Sequence, residues 1–171
     1  MTFLARIFGS KQEAAALRPL YDLVVANGRD PAWYREGGVP DTIDGRFDMV
    51  AAILSLVLIR LEAEGDGARR ESVLLTETFV ADMDASLRQI GIGDFVVGKH
   101  IGKMMGALGG RLGAFRSAAD PKAQALAVRR NIFRETPPSE EKVAWVAERL
   151  RAFEARLRAT SLAELLEGRL K

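Results

Sequence analysis

Residues 91–113 read GIGDFVVGKHIGKMMGALGGRLG, with eight glycines in one stretch. Within it, Gly93–His100 (GDFVVGKH) has the G-x-x-x-x-G-K spacing of a phosphate-binding loop, with His100 where that loop needs Ser or Thr. The fold turns on how this stretch is read. It is a strand–loop–helix nucleotide site, a membrane-helix contact motif, or a helix built for close approach.

A phosphate loop works because small residues let successive backbone N–H groups curl around an anion while a hydroxyl reaches Mg²⁺. Here the hydroxyl is missing and the interior is Asp94, Phe95, Val96 and Val97, bulky or negatively charged. The preceding segment is helical in pattern and no acidic strand is available to hold the metal. ATP or GTP hydrolysis is excluded on those grounds. Gly98, Gly102, Gly106 and Gly110 repeat every four residues, the small-xxx-small pattern of membrane helix pairs. Lys99, His100 and Lys103 interrupt any apolar 20-mer, so a membrane span is excluded as well.

Close helix packing remains. Gly in a helix interior is about 1 kcal/mol less favourable than Ala. Five or six together cost on the order of 5 kcal/mol, comparable to a small domain's net stability. Ile101, Met105, Leu108, Leu112 and Phe115 form an apolar stripe. Gly102, Gly106, Gly109 and Gly113 form a second row about 100° further round the helix. The helix that meets this row belongs to the same chain, to a client or to a second subunit. The other reading is a helix that kinks or frays near Gly109–Gly110.

Outward from this stretch the periodicity is helical throughout. A first helix runs from Lys11 to Gly28, which is placed to end it. Asp30-Pro31 opens a short turn with Trp33 and Tyr34, and REGGVPDT is a loop. Asp44 caps a helix over Gly45–Glu64 whose run Met49–Ile59, MVAAILSLVLI, is apolar on most sides and therefore central. At eleven residues this run is about half the 20 needed to span a bilayer. A third helix covers Ala68–Ile90, with Val73, Val80, Met83, Leu87 and Ile90 inward, and a fourth covers Asp94–Ser117. Asp120-Pro121 opens a fifth that reaches Arg134, Glu140–Arg158 forms a sixth, and Ser161 with Glu164 makes a capping box for a short last one. The fold expected is an all-α single-domain bundle of about six to seven helices around a central apolar helix. Residues 1–10 form an apolar and basic arm, and 11–171 the helical domain.

Composition narrows the chemistry. The 171 residues are 48% hydrophobic and 28% charged, a globular balance. Formal net charge is +2, so no overall field points to DNA. Residues 1–121 hold 14 basic and 16 acidic side chains, and 122–171 hold 11 and 7, so the positive excess lies in the C-terminal part, whose helices over 139–171 are read as a basic region. A solvated helix face or an anionic docking surface, lipid head groups or RNA, fits that bias. With no Cys and one His, thiol and histidine metal sites and catalytic triads lack parts. Asp82 and Asp84 stand two apart on a helix and point to different sides, which does not suit a shared ion. Asp41, Asp44 and Asp48 bracket Arg46 as an ion-pair cluster. Trp33 and Tyr34 are read as an interaction patch or as core lids. In the arm MTFLARIFGSK, Phe3, Leu4, Ile7 and Phe8 share a face, suiting an interfacial anchor or a segment packed on its own domain.

Longer words point to a family. YDLVVANGRDPAWYREGGVPDTIDGRFDMV, LVLIRL, DMDASLRQIGIGDFVVGKHIGKM and RNIF, over about Leu20–Arg134, resemble the ubiquinol–cytochrome c chaperone family. Its mitochondrial members are assembly factors of the cytochrome bc complex, respiratory complex III. The resemblance is to a bacterial member. It implies a helical chaperone with no enzyme active site and no cofactor. It also implies binding of newly made cytochrome b, near the ribosome exit and the membrane surface. A small partner subunit or a homodimer is compatible with it. The expected location is cytoplasmic, including the inner face of the cytoplasmic membrane. Trp33, Tyr34, Arg46, Arg88, Lys99 and Lys103 are the candidate partner-binding residues. The competing reading is a peripheral membrane protein that takes lipid or quinone in an apolar helical pocket.

Overall fold

The computed structural model describes residues 15–89, 91, 94–134 and 136–171. Over these the chain forms α1 (Arg18–Gly28), α2 (Ala32–Arg35), α3 (Ile43–Glu62), α4 (Arg69–Gln89), α5 (Asp94–Arg116), α6 (Pro121–Asn131), α7 (Glu140–Ala159) and α8 (Leu162–Leu166). A 3₁₀ turn at Gly65–Ala68 precedes α4, and no strand occurs among the described residues. The expected all-α bundle is the fold observed, with α2 and α8 as its short elements. The arm over residues 1–10 lies outside the described residues, as does Ile90.

Helix α3 is the axis. Asp48 through Leu58 is buried without a break, and α1, α4, α5 and α7 all pack on it. A helix with no solvated face must be surrounded, which is what its apolar run dictates. Its start differs from the sequence expectation by two residues. Thr42, not Asp44, is the cap, its hydroxyl accepting from the Gly45 N–H at 3.1 Å. Asp44 sits in the first turn, where a negative charge suits the helix dipole. The fifth predicted helix stops at Asn131 rather than Arg134, because Arg134 takes φ +49°, outside the helical region.

Helix α4 turns Leu75, Phe79, Met83 and Leu87 inward. Val73, expected inward, is exposed. It lies two residues before Leu75, about 200° round the helix from that face. Tyr21 of α1 donates its hydroxyl to Asp82 at 2.7 Å, so Asp82 ties α1 to α4. Burial pushes the Tyr21 hydroxyl pKa well up, and the bond to Asp82 pushes it further.

One ion-pair network joins elements distant in sequence. Asp48 of α3 is 1% exposed and accepts from Arg111 of α5 and from Arg134 Nε at 2.8 Å. Arg134 Nη1 also donates to Asp44 at 2.9 Å. Arg111 donates to the Asn131 carbonyl at 2.8 Å, and its guanidinium lies 5.5 Å from the Phe47 ring centre. Two carboxylates thus face two guanidiniums. Burial pushes Asp48 up against the pull of both arginines, and burial lowers Arg111. A buried ion pair broken on one side leaves an uncompensated charge, at a cost of about 3–5 kcal/mol. Asp48→Ala is therefore expected to destabilise the fold by about that amount. Asp48→Leu combined with Arg111→Met should lose less than either single change. Urea denaturation of the parent protein, the three single variants and the double variant checks both statements, and equal losses in single and double variants would refute the account.

The glycines divide into two sets. At Gly28 a Cβ would lie 2.7 Å from the Val50 Cα, and at Gly45 one would lie 1.9 Å from the Pro40 carbonyl oxygen. Close helix approach is therefore made by Gly28, between α1 and α3. At Gly98, Gly102, Gly106, Gly109, Gly110 and Gly113 a Cβ would meet nothing within 4 Å. The expected contact of this row with another helix of the chain does not occur, because α5 turns its Leu108–Phe115 side inward instead. The helix also continues through Gly109–Gly110. Ala at Gly102 and Gly106 should each stabilise by about 0.5–1 kcal/mol, while Ala at Gly45 should destabilise strongly. Thermal unfolding should rise for the first pair and fall for the last.

Candidate functional site

Helices α4 and α5 leave a groove between them. Its apolar floor is Val80 and Ala81 from α4 with Val97, Ile101 and Met105 from α5, and Gly98 forms part of the wall. Thr76, Glu77, Asp84 and Arg88 supply a polar edge, and the cavity volume is about 740 Å³. The sequence cause is direct. Val80, Asp84 and Arg88 recur every four residues along one side of α4, next to the buried Phe79–Met83–Leu87 stripe. On α5, Ile101 and Met105 continue the inward stripe toward the surface, where they are half-buried. Beyond the groove the same helix exposes Gly102, Gly106, Gly109 and Gly110. A groove with an apolar floor therefore runs into a flat strip of bare backbone.

A second groove lies on another face of α4. Phe47 and Val50 of α3, Met83 and Leu87 of α4, and Met104 of α5 line it, with Ile43 at its mouth. Its volume is about 320 Å³, and its charged lining residues are Arg29 and Arg46. The same two arginines border an adjoining hollow of about 420 Å³, shared with Arg35, Tyr34, Pro31 and Asp41. Asp41 accepts from Arg46 Nε at 2.6 Å, which holds its carboxyl below the usual range. The Tyr34 hydroxyl donates to the Gly28 carbonyl at 3.1 Å, and burial raises its pKa.

The six candidate partner-binding residues separate accordingly. Arg88 borders the α4–α5 groove, where it donates to Asp84 at 2.7 Å. Lys99 and Lys103 are exposed on α5 beside the glycines. Tyr34 and Arg46 meet at the arginine-bordered hollow, joined there by Arg29 and Arg35, which sequence reasoning did not single out. Trp33 is a core residue, 2% exposed, and its indole N–H donates to the Asn27 carbonyl at 2.7 Å. Its ring meets Trp145 edge-on at 6.0 Å, and the Arg149 guanidinium lies 4.9 Å from its centre. It is a lid on the core and not an exposed patch. Arg149 and Arg129 of the basic C-terminal region likewise pair with Asp30 and Glu140, so part of that positive excess is structural. Among the described residues no carboxylate or histidine cluster suits a metal ion, and no helix is long and apolar enough to cross a membrane.

Two open grooves with apolar lining and polar edges are thus the principal concave features on these faces of the bundle. Residues 35–171 match the ubiquinol-cytochrome C chaperone family, and the chain belongs to that family. That match takes in the C-terminal helices, which the sequence words did not reach. No curated protein sequence matches the chain. Among solved structures, the chain is similar to the crystal structure of the Cbp3 homologue from Brucella abortus. The two are 30% identical with a TM-score of 0.79, over 97% of this chain and 94% of that one.

A reporter of apolar surface checks the grooves directly. An environment-sensitive dye is expected to bind the native protein, and Ile101→Glu should reduce its fluorescence enhancement several-fold without loss of helicity. An unchanged signal would mean that the α4–α5 groove is not an accessible apolar site.

Proposed function

We propose that this protein is a non-enzymatic assembly chaperone that holds newly made cytochrome b during biogenesis of the ubiquinol–cytochrome c reductase complex. We place the client on the α4–α5 groove and the glycine strip that extends it. Family membership supports the class, and the grooves support the manner of binding. The observation that carries the reading is the uncovered glycine row. Six glycines whose Cβ positions meet nothing within 4 Å give the isolated chain no packing return for their helix-propensity cost. A partner helix would supply that return, because bare backbone lets another helix approach closely. A membrane protein's newly made helices are apolar, and the groove floor of Val80, Val97, Ile101 and Met105 suits their side chains. Lys99 and Lys103 flank the strip and favour the acidic surfaces of lipid or ribosomal RNA near which such a client emerges.

The test uses positions where the fold has room. Gly102→Leu and Gly106→Leu add bulk to the strip at positions where a Cβ would meet nothing within 4 Å. In the native host, the tagged variant should lose co-purified cytochrome b by about tenfold, equivalent to about 1.4 kcal/mol of affinity. Its melting temperature should not fall. Full capture by this variant would remove the strip from the client site. Normal assembly of the complex in a deletion strain would remove the function itself.

A further inference from the structure

The second groove has no part in the client reading and carries its own chemistry. Its apolar lining comes from Phe47, Val50, Met83, Leu87 and Met104, and no acidic residue lines it. At one end Arg29 and Arg46 lead into the hollow that adds Arg35 and the edge of Tyr34, against the single carboxylate of Asp41. An apolar slot that ends in three guanidiniums matches a ligand with an apolar tail and an anionic head. We propose that this groove binds one anionic phospholipid, with an acyl chain in the slot and its phosphate at Arg29, Arg35 and Arg46.

Several observations favour this occupant over a protein segment. A volume of about 320 Å³ lies at the low end of small-molecule sites, which run from about 300 Å³ upward. A helix with side chains is about 10–12 Å across and fits the larger α4–α5 groove better. All three cations are arginines, whose planar forks take two phosphate oxygens at once, where a lysine offers a point charge. Met83 and Met104 line the slot with flexible side chains that adapt to a chain without fixed shape. Ile43, 64% exposed, stands at the mouth, where a tail would enter from a bilayer. The Arg46–Asp41 pair is solvent-exposed on both sides, so it holds Arg46 weakly and leaves it able to turn to a phosphate.

Full-length protein would be incubated with vesicles of phosphatidylglycerol or of phosphatidylcholine, separated from them, and analysed by native mass spectrometry. One phosphatidylglycerol per chain is expected, with phosphatidylcholine retained about tenfold less, a difference of the size one good charge contact supplies. Arg29→Gln with Arg46→Gln should lower retention by about the same factor, through the head. Ser86→Phe should do so through the tail, since Ser86 lines the slot without being a core residue. Gln89→Trp is a second slot-filling variant, and circular dichroism confirms helicity in each. Absence of a bound lipid overturns the proposal. So does retention that both slot-filling variants leave intact, which is surface adsorption. Displacement of the lipid by millimolar inorganic phosphate would make this a free-anion site and also overturns it. A photo-crosslinker at Ser86 that captures protein and no lipid would give the groove to a polypeptide instead.

Discussion

Asp48 sits in the second turn of the central helix with almost no access to water, and its charge must be answered inside the protein. Arg111 and Arg134 answer it, one from the glycine-rich α5 and one from the loop after α6. This fixes the height and rotation of α5 against α3. Once Arg111 points inward, Leu108 and Phe115 on neighbouring turns are carried inward with it. The glycines then have nowhere to go but outward. A buried ion pair gives little net stability compared with a well-packed apolar pair. Its value here is orientation: it selects which side of a weakly amphipathic helix is seen by solvent. Arg134 holds an uncommon left-handed backbone conformation while it makes two of these contacts, so the loop geometry and the network support each other.

The consequence is a helix that departs from what stability alone would select. Alanine at the same outward positions would fit and would raise helix propensity. Stability given up at a surface is a familiar accompaniment of binding sites. The floor of the adjoining groove is apolar and half-covered, its edge is polar, and the strip beyond offers backbone without side chains. These features together suit an apolar helix held loosely enough to be handed on.

Much of this fold is legible in the sequence. The unbroken apolar run of α3 could only be a central helix, and Gly28, Asp120 and Ser161 mark helix ends where the structure has them. The errors have physical causes. Thr42 and Asp44 are both capping residues, and only the hydrogen bond from the Gly45 N–H to the Thr42 hydroxyl distinguishes them. Val73 resembles any inward β-branched residue until the Leu75–Phe79–Met83 register is known. The direction of the glycine row was not readable, because glycine carries no hydrophobic signature and the residue that sets the direction, Arg111, pairs with a carboxylate 63 positions away. For the same reason Arg29 and Arg35 gave no sign that they join Arg46 and Tyr34 in one hollow.

On the proposed reading, the face shared by α4 and α5 receives the client. Site-specific photo-crosslinking in the native host reads this contact without disturbing it. A photoreactive residue at Ile101, on the groove floor, should crosslink to cytochrome b, and the same residue at Leu126 on α6, 45% exposed, should not. Crosslinks to cytochrome b from Leu126 and none from Ile101 would contradict the account and move the client to another face of the bundle.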